Sequence, residues 1–223
     1  MSTKVGIIAE GPIDHVLLPA LLARIAEERA GFIWPLKAED VAETFAIRKR
    51  GHGGVFKTVQ RLVKALDTQY FDHSCFVILL DRRTRHIQDR VRRLIQGKER
   101  FVLGIAIEEI EAWWLGDRTN TLAWSGLTTT LSQDCRYARA GYHAETDSHP
   151  KRTLDDITHH SDRFDRFYGN GNADMAREFA EEYWRPHARL NEIEVQCPRG
   201  FAPFQHEMTT QFQRARGRSG RLF

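Results

Sequence analysis

The sequence predicts an α/β protein with a mainly parallel central sheet flanked by helices. Short apolar runs rich in β-branched residues recur along the first half of the chain. Between them lie segments whose apolar residues repeat every three or four positions, which is the spacing of helices that cover a sheet. Runs and helical segments alternate, and a repeated strand and helix order is typical of a parallel sheet.

The first strand is predicted over residues 4–10, because the apolar run KVGIIAE ends at Gly11-Pro12. This dipeptide is a turn signal that places proline at the start of a helix. A second strand is predicted over residues 43–48. The glycine-rich stretch 51–54 is then expected to be a flexible loop before a helix over residues 55–66.

The third strand, residues 75–80, is apolar on both alternating faces, as expected of a central strand covered on both sides, and it ends at Asp81. A helix over residues 87–95 and a strand over residues 101–107 follow. We therefore predict an α/β core over residues 1–117 and a mostly helical extension over residues 118–223 that packs on it. Helices are expected in this extension over residues 150–157, 173–184 and 201–214.

Length and composition exclude several classes of protein. A chain of 223 residues with 41% hydrophobic residues can bury the core of one domain. Cys75, Cys135 and Cys197 are far apart and in no CxxC spacing, which argues against a disulfide framework or a zinc ribbon. No apolar run approaches the roughly 20 residues of a membrane helix. These features predict a protein of the cytoplasm that does not act at a membrane.

The basic residues are unusually rich in arginine. Of 33 basic residues 26 are Arg and 7 are Lys, although the net charge is only +3. Arginine suits phosphate recognition, but arginine-biased codon usage would give the same ratio. Eight basic residues against three acids lie between Asp81 and Arg100, and this local excess favours nucleic-acid binding over a solvated helix face. The predicted phosphate-binding residues are Arg82, Arg83, Arg85, Arg90 and Arg93.

Acidic residues follow three of the predicted strands. They are Glu10 after the first strand with Asp14 one helical turn beyond it, Asp81 after the third, and Glu108, Glu109 and Glu111 after the fourth. Side chains at the carboxyl ends of parallel strands converge, and a hard cation such as Mg²⁺ relieves the repulsion among carboxylates. Taken singly, each acid also suits the positive start of the following helix. Their coincidence at three strand ends predicts a metal and phosphate site.

The same residues resemble a known family. The stretch AEGPID at residues 9–14 resembles the EGxxE/D signature of TOPRIM domains, and LLDRR at residues 79–83 stands where such domains place a DxD motif. Further landmarks are the GHGG stretch, the block EEIEAWWLGD at residues 108–117, Pro150-Lys151 and CPRGF at residues 197–201. Over nearly its whole length the chain is similar to a bacterial TOPRIM-like family, the domain of unknown function 4276.

The resemblance implies a Rossmann-like TOPRIM core and a nuclease that depends on Mg²⁺ or Mn²⁺, similar to TOPRIM nucleases of the overcoming-lysogenization-defect type. Such an enzyme would act on DNA or RNA. By this similarity Glu10, Asp14, Asp81 and Glu111 would hold the metal, and Glu10 and Lys151 would be the catalytic residues. The resemblance also implies a separate ABC-type ATPase partner in defence against phage, since the chain itself lacks a P-loop.

One position departs from the TOPRIM pattern, because Arg83 replaces the second acid of DxD. The site would then use one metal, borrow Glu108 or Glu109, or have lost catalysis while it still binds phosphate. The last option defines an alternative function, a non-catalytic nucleic-acid-binding or ATPase-partner subunit with a degenerate site.

Aromatic and histidine residues near these motifs have simpler interpretations. Trp113 and Trp114 are expected to pack in the core rather than stack on bases. His149, His159 and His160 show no zinc-site spacing, and we expect them to be surface or hydrogen-bonded groups.

Overall fold

The computed structural model describes residues 4–31, 42–44, 52–69, 71, 73–81, 85–127, 135, 137 and 141–219. Within these ranges the chain is an α/β protein with four parallel strands in one sheet, flanked by helices, which is consistent with a Rossmann-like fold. The strands are β1 (Val5–Ile8), β2 (Ala42–Thr44), β3 (Cys75–Asp81) and β4 (Phe101–Ala106). The helices are α1 (Pro12–Ala30), α2 (His52–Leu66), α3 (Arg85–Ile95), α4 (Glu111–Gly116), α5 (Arg118–Ser125), α6 (Pro150–His159), α7 (Ala173–Phe179), α8 (Arg185–His187), α9 (Leu190–Gln196) and α10 (Phe201–Ser219).

The strands lie side by side in the order β2, β1, β3, β4. In the register of the sheet, Ile8 of β1 is opposite Ile78 of β3, and Asp81 of β3 is opposite Ala106 of β4. Because every pairing is parallel, the carboxyl ends of the strands open on one edge. The predicted strand and helix order of the first half of the chain is confirmed.

Two hydrophobic layers cover the two faces of the sheet. Phe76, Ile78 and Leu80 of β3 belong to the layer that α2 and α3 complete. Val77 and Leu79 belong to the opposite layer, which contains α1 and residues from the C-terminal half of the chain. Residues of β3 alternate between the two layers, so the prediction of a central strand covered on both sides is confirmed.

An aromatic cluster joins the C-terminal half to the sheet. The Trp114 ring stacks on Phe179 with centroids 4.4 Å apart and meets Trp124 and Tyr168 edge to face. Trp113 and Trp114 are fully buried, which confirms that they pack in the core. The extension therefore shares one hydrophobic core with α1 and the sheet.

The glycine-rich stretch before α2 differs from the prediction. His52, Gly53 and Gly54 lie in the first turn of α2, so the expected loop is wrong from His52 onward; Gly51 lies outside the described residues. Glycine has low helix propensity, but packing of an apolar helix face outweighs propensity. The buried residues Val55 and Val59 provide that face.

Other boundaries also shift. The strand predicted over residues 43–48 is observed as β2, and residues 45–48 lie outside the described ranges. The helix predicted over residues 173–184 becomes α7 followed by a π-helical turn, Ala180–Trp184. In a π turn, residues five apart approach each other, and Phe179 and Trp184 have ring centroids 5.5 Å apart. In the described ranges, every helix is too short or too polar to cross a lipid bilayer.

The backbone at Gly200, just before α10, lies close to the backbone of the edge strand β4. Glu145 is 2% exposed, and its Oε1 accepts hydrogen bonds from the Gly200 N–H at 2.6 Å and the Arg199 N–H at 2.9 Å. A methyl group on Gly200 would lie 2.8 Å from the Ile105 carbonyl oxygen. Only glycine therefore fits between α10 and β4 at this position without movement of the backbone.

Replacing Gly200 with alanine is expected to lower the free energy of unfolding by about 1–3 kcal/mol, because the added methyl overlaps backbone. Gly53→Ala is the control, since nothing lies within 4 Å of the added carbon there. Alanine favours a helix over glycine, so this control gains up to about 1 kcal/mol. Denaturant unfolding measures both, and unchanged stability of Gly200→Ala would contradict the close approach.

Candidate metal and phosphate site

The four predicted metal-binding acids converge at the carboxyl edge of the sheet. Asp81 is the last residue of β3, Glu10 follows β1 by two residues, and Glu111 begins α4 just after β4. Asp81 interacts electrostatically with Asp14, Glu109, Glu10 and Glu111. The structure therefore brings all four together, and it adds Glu109, which the sequence indicated only as a substitute ligand.

Asp14 has two roles in this cluster. Its Oδ2 accepts a hydrogen bond from the Gly11 N–H at 2.8 Å, which satisfies a backbone donor at the start of α1. Burial raises the pKa of Asp14 to about 6, although the Gly11 N–H and Lys151 lower it. Asp14 therefore accepts a hydrogen bond at the start of α1 and also lies in the acid cluster.

Two further carboxyls have strongly raised pKa values. Burial, followed by the charges of Asp14 and Glu109, raises the pKa of Asp81 to about 8. Burial raises the pKa of Glu111 to about 7 in spite of the nearby Lys151 ammonium. A carboxylate that is both desolvated and close to other carboxylates resists ionisation. Lys151 alone therefore does not supply enough positive charge to keep all the carboxyls of the cluster ionised at neutral pH.

Lys151 lies among the acids although it is far from them in sequence. Its Nζ donates a hydrogen bond to Glu109 Oε1 at 2.9 Å and lies 3.7 Å from Glu111 Oε1. Burial lowers the pKa of Lys151, but the charges of Glu111 and Glu109 outweigh this effect and the net shift is upward. Lys151 therefore stays protonated as a counter-ion within the cluster.

Tyr168 holds Glu111 from the side of the helical extension. Its hydroxyl donates a hydrogen bond to Glu111 Oε1 at 3.0 Å, and its backbone N–H donates to Thr158 Oγ1 at 3.0 Å. Burial, and then Glu111, raise the pKa of Tyr168, so the phenol remains a donor. Tyr168 lies in a polar stretch without periodic apolar residues, and no sequence pattern indicated it.

The chain bends sharply between β4 and α4. Glu108 has φ 70°, in the left-handed region that residues other than glycine rarely adopt. Such a conformation costs about 1–3 kcal/mol and is enriched at functional sites. Glu109 and Glu111 follow this bend and lie close to Asp81 at the carboxyl edge of the sheet.

The acidic residues of this cluster suit a hard divalent cation. The ligand atoms that they offer are carboxylate oxygens, which Mg²⁺ prefers. Among the described residues, no three of these acids have carboxylate oxygens that all lie within 4.8 Å of one another, so the cluster is wider than a compact cage of ligands. Mg²⁺ usually takes one or two carboxylates and keeps several waters, and the wide cluster fits that mode of binding.

The predicted phosphate-binding arginines are spread along α3. Arg82 and Arg83 lie outside the described residues. Arg85 is exposed at the start of α3, and the Gln88 side chain ties this end of α3 to the edge by donating to the Asp81 carbonyl oxygen at 2.8 Å. Arg85 therefore lies at the end of α3 that is next to the acid cluster.

The other two predicted arginines have partners within the chain. The Arg90 guanidinium lies 3.9 Å from the centre of the Phe56 ring, and Arg93 Nε donates to the Asp89 carbonyl oxygen at 3.2 Å. Arg85 lines a groove of about 620 Å³ together with Arg92, which lies 3.7 Å from the Asp89 carboxylate, and Arg199, whose Nε donates to Glu145 Oε2 at 2.9 Å. Arg92 and Arg199 were not among the predicted phosphate-binding residues.

Comparison of the chain with protein-family models, with curated proteins and with solved structures gives no match. The fold and the site define the class by themselves. The chain is an α/β protein with a parallel sheet flanked by helices, and a cluster of acids around Lys151 lies at the carboxyl edge of that sheet.

The raised pKa values predict a distinctive pH dependence of stability. In the unfolded chain carboxyls lose their protons near pH 4, whereas Asp81 and Glu111 keep theirs to about 8 and about 7. The folded state therefore binds more protons in this window, and without divalent metal the free energy of unfolding should fall as the pH rises from about 5 to about 8.

Asp81→Asn removes the largest of these titrations. We expect its loss of stability over the same pH range to be smaller than that of the wild type by at least about 1 kcal/mol. Asp174→Asn is the control, because Asp174 is exposed on α7. Urea unfolding at several pH values in EDTA measures the slopes; equal slopes for the wild type and Asp81→Asn would refute the buried cluster.

Proposed function

We propose that this protein is a divalent-metal-dependent nuclease with a TOPRIM-like site, acting on DNA or RNA phosphodiesters. The observation that supports it most strongly is the convergence of acids from three strand ends around Lys151. The carboxyl edge of a parallel sheet is the usual position of ligand and catalytic sites in this class of fold.

The metal would be Mg²⁺ or Mn²⁺, held by Glu10, Asp14, Asp81 and Glu111. When bound, such an ion polarises a phosphoryl oxygen and lowers the pKa of a bound water. The acids of the cluster outnumber its cation, Lys151, and this supports the assignment. A divalent cation would supply positive charge and favour the ionised forms of Asp81 and Glu111.

The residues of the chain have separable roles. Glu10 would act as general acid and base, the role that its place in the TOPRIM-like motif implies. Lys151 stays protonated and would contact a phosphate oxygen as a point charge. Tyr168 is a positioning residue, because its hydroxyl fixes the carboxylate of Glu111.

Nucleic acid is the proposed substrate because positive charge begins beside the acids. Arg85 starts α3 at this edge, and Arg92 and Arg199 line the same groove. Guanidinium groups along a groove suit a phosphate backbone and carry no sequence information. We further propose that the protein acts in the cytoplasm with a separate ABC-type ATPase, as its resemblance to defence nucleases implies.

The alternative is a non-catalytic subunit that binds nucleic acid or the ATPase through a degenerate site. Two observations favour it. Arg83 replaces an acid of the TOPRIM pattern, and Lys151 already neutralises part of the acidic charge by pairing with Glu109 and Glu111. In this case the arginines would still bind phosphate, while cleavage would be absent.

Incubation of the purified protein with labelled single-stranded DNA, duplex DNA and RNA tests the proposal. We expect cleavage in Mg²⁺ or Mn²⁺ and none in EDTA. Asp81→Asn and Glu10→Gln should each lower the rate at least about a hundredfold. Glu181→Gln, an exposed acid far from the cluster in sequence, is the control and should cleave like the wild type.

Binding of the same probes, measured by fluorescence anisotropy in EDTA, separates the two functions. Binding without cleavage in any metal would favour the non-catalytic subunit. Equal cleavage by the wild type and both acid variants would show a contaminating nuclease and would refute the proposed catalytic site.

A further inference from the structure

A second group of metal-binding side chains lies outside the acid cluster. Cys135, Asp156 and His160 each offer a ligand atom, and these three atoms all lie within 4.8 Å of one another. Asp156 is on α6, and His160 is the residue directly after the end of this helix. Because the two residues are four positions apart, their side chains lie on one helical face. Cys135 comes from a separate part of the chain. In the described ranges this is the one such group of three.

We propose that Cys135, Asp156 and His160 form a Zn²⁺-binding site. A thiolate, an imidazole nitrogen and a carboxylate oxygen are the three ligand types that zinc takes in proteins. A thiolate disfavours Mg²⁺, which prefers oxygen ligands alone. The two charges of a thiolate and a carboxylate neutralise the dication, and water would complete a tetrahedron.

The ligand atoms are slightly farther apart than zinc requires, and small side-chain movements would bring them to zinc-bonding distances. Zinc bonds of about 2.0–2.3 Å place neighbouring ligand atoms of a tetrahedron about 3.3–3.8 Å apart. One ligand atom from each of the three residues lies within 4.8 Å of the other two. Small rotations of the Asp156 and His160 side chains, which reach the surface, toward the buried Cys135 sulfur would bring the three atoms to bonding positions.

The His160 ring is already oriented. Its Nδ1 lies 2.8 Å from the Asp156 carbonyl oxygen. Because a carbonyl only accepts, Nδ1 carries the proton and Nε2 has the free lone pair in the neutral ring. Zinc-binding histidines commonly donate their second ring N–H to such an acceptor, which fixes the ring and raises its basicity.

An ion can reach the group from solvent. Asp156 and His160 line a surface concavity of about 630 Å³, whereas Cys135 is buried. A buried sulfur behind an accessible histidine and carboxylate excludes solvent from one side of the ion only. The bound metal would link Cys135 to the end of α6.

The neighbouring pair Asp155 and His159 provides a matched comparison. His159 Nδ1 also lies 2.8 Å from a carbonyl oxygen, that of Asp155, and His159 lines the same concavity. It belongs to no group that includes a cysteine among the described residues. If helix geometry alone produced these contacts, the two histidines would behave alike toward metal.

Titration of the full chain with Co²⁺ and Zn²⁺ tests the proposal. In the presence of excess Mg²⁺ to occupy the acid cluster, we expect one Co²⁺ per chain with a thiolate-to-cobalt charge-transfer band and the d–d bands of a tetrahedral ion, and we expect Zn²⁺ to remove these bands. Burial raises the pKa of Cys75 to about 12 and also raises that of Cys197, so these thiols stay protonated and Cys135 is the source of the band.

Variants identify the ligands. His160→Gln and Asp156→Asn should each weaken Zn²⁺ binding at least about tenfold, and Cys135→Ser should abolish the charge-transfer band. His159→Gln should bind as tightly as the wild type, and so should Asp81→Asn in the acid cluster. Circular dichroism measures whether each variant is folded. If Cys135→Ser is unfolded, the affinity of His160→Gln and the charge-transfer band of the wild type test the site instead.

Three results would overturn the site. They are the absence of a charge-transfer band in the wild type, an equal loss of affinity in His159→Gln and His160→Gln, or loss of the signal in Asp81→Asn. The last result would mean that the metal binds at the acid cluster. None of these outcomes depends on nuclease activity, so the zinc site and the proposed function are tested separately.

Discussion

Mutual repulsion among carboxylates is the constraint that the functional edge of this protein depends on. Glu111 is buried and Asp81 is partly buried, and both lie close to the Glu109 carboxylate, so burial and neighbouring charge together oppose their ionisation. The parallel register holds them there, because Asp81 is fixed opposite Ala106 by the pairing of β3 with β4. A sheet that slipped by one residue would turn these side chains to the other face.

The helical half of the chain supplies the groups that offset this repulsion. Lys151 begins α6 and pairs with Glu109, and Tyr168 donates to Glu111. Tyr168 also packs edge to face on Trp114, whose ring stacks on Phe179. The aromatic core is therefore what positions a hydrogen-bond donor at the acid cluster. Without residues 150–171 the acids at the strand ends would lack both their counter-ion and this donor.

The sequence predicts the part of the site that depends on local pattern. Glu10 and Asp81 were found because each follows an apolar run that reads as a strand, and the parallel order places strand ends together. Lys151 was indicated only by the resemblance to TOPRIM proteins. Tyr168 could not be predicted, because its contact with Glu111 spans 57 residues and depends on how the helical half packs.

The helix α6 connects two sites with opposite ligand preferences. Lys151 at its first turn faces an all-oxygen cluster, and Asp156 near its end lies beside Cys135 and His160. Lys151 and Asp156 are both on this helix, with a rise of about 7.5 Å between them, so one rigid element sets the distance between the two groups. In the two proposed sites, oxygen ligands would select a hard cation at one end, and sulfur and nitrogen would select zinc at the other. A metal that fastens the end of α6 would limit the movement of Lys151, and with it the charge balance at the acids.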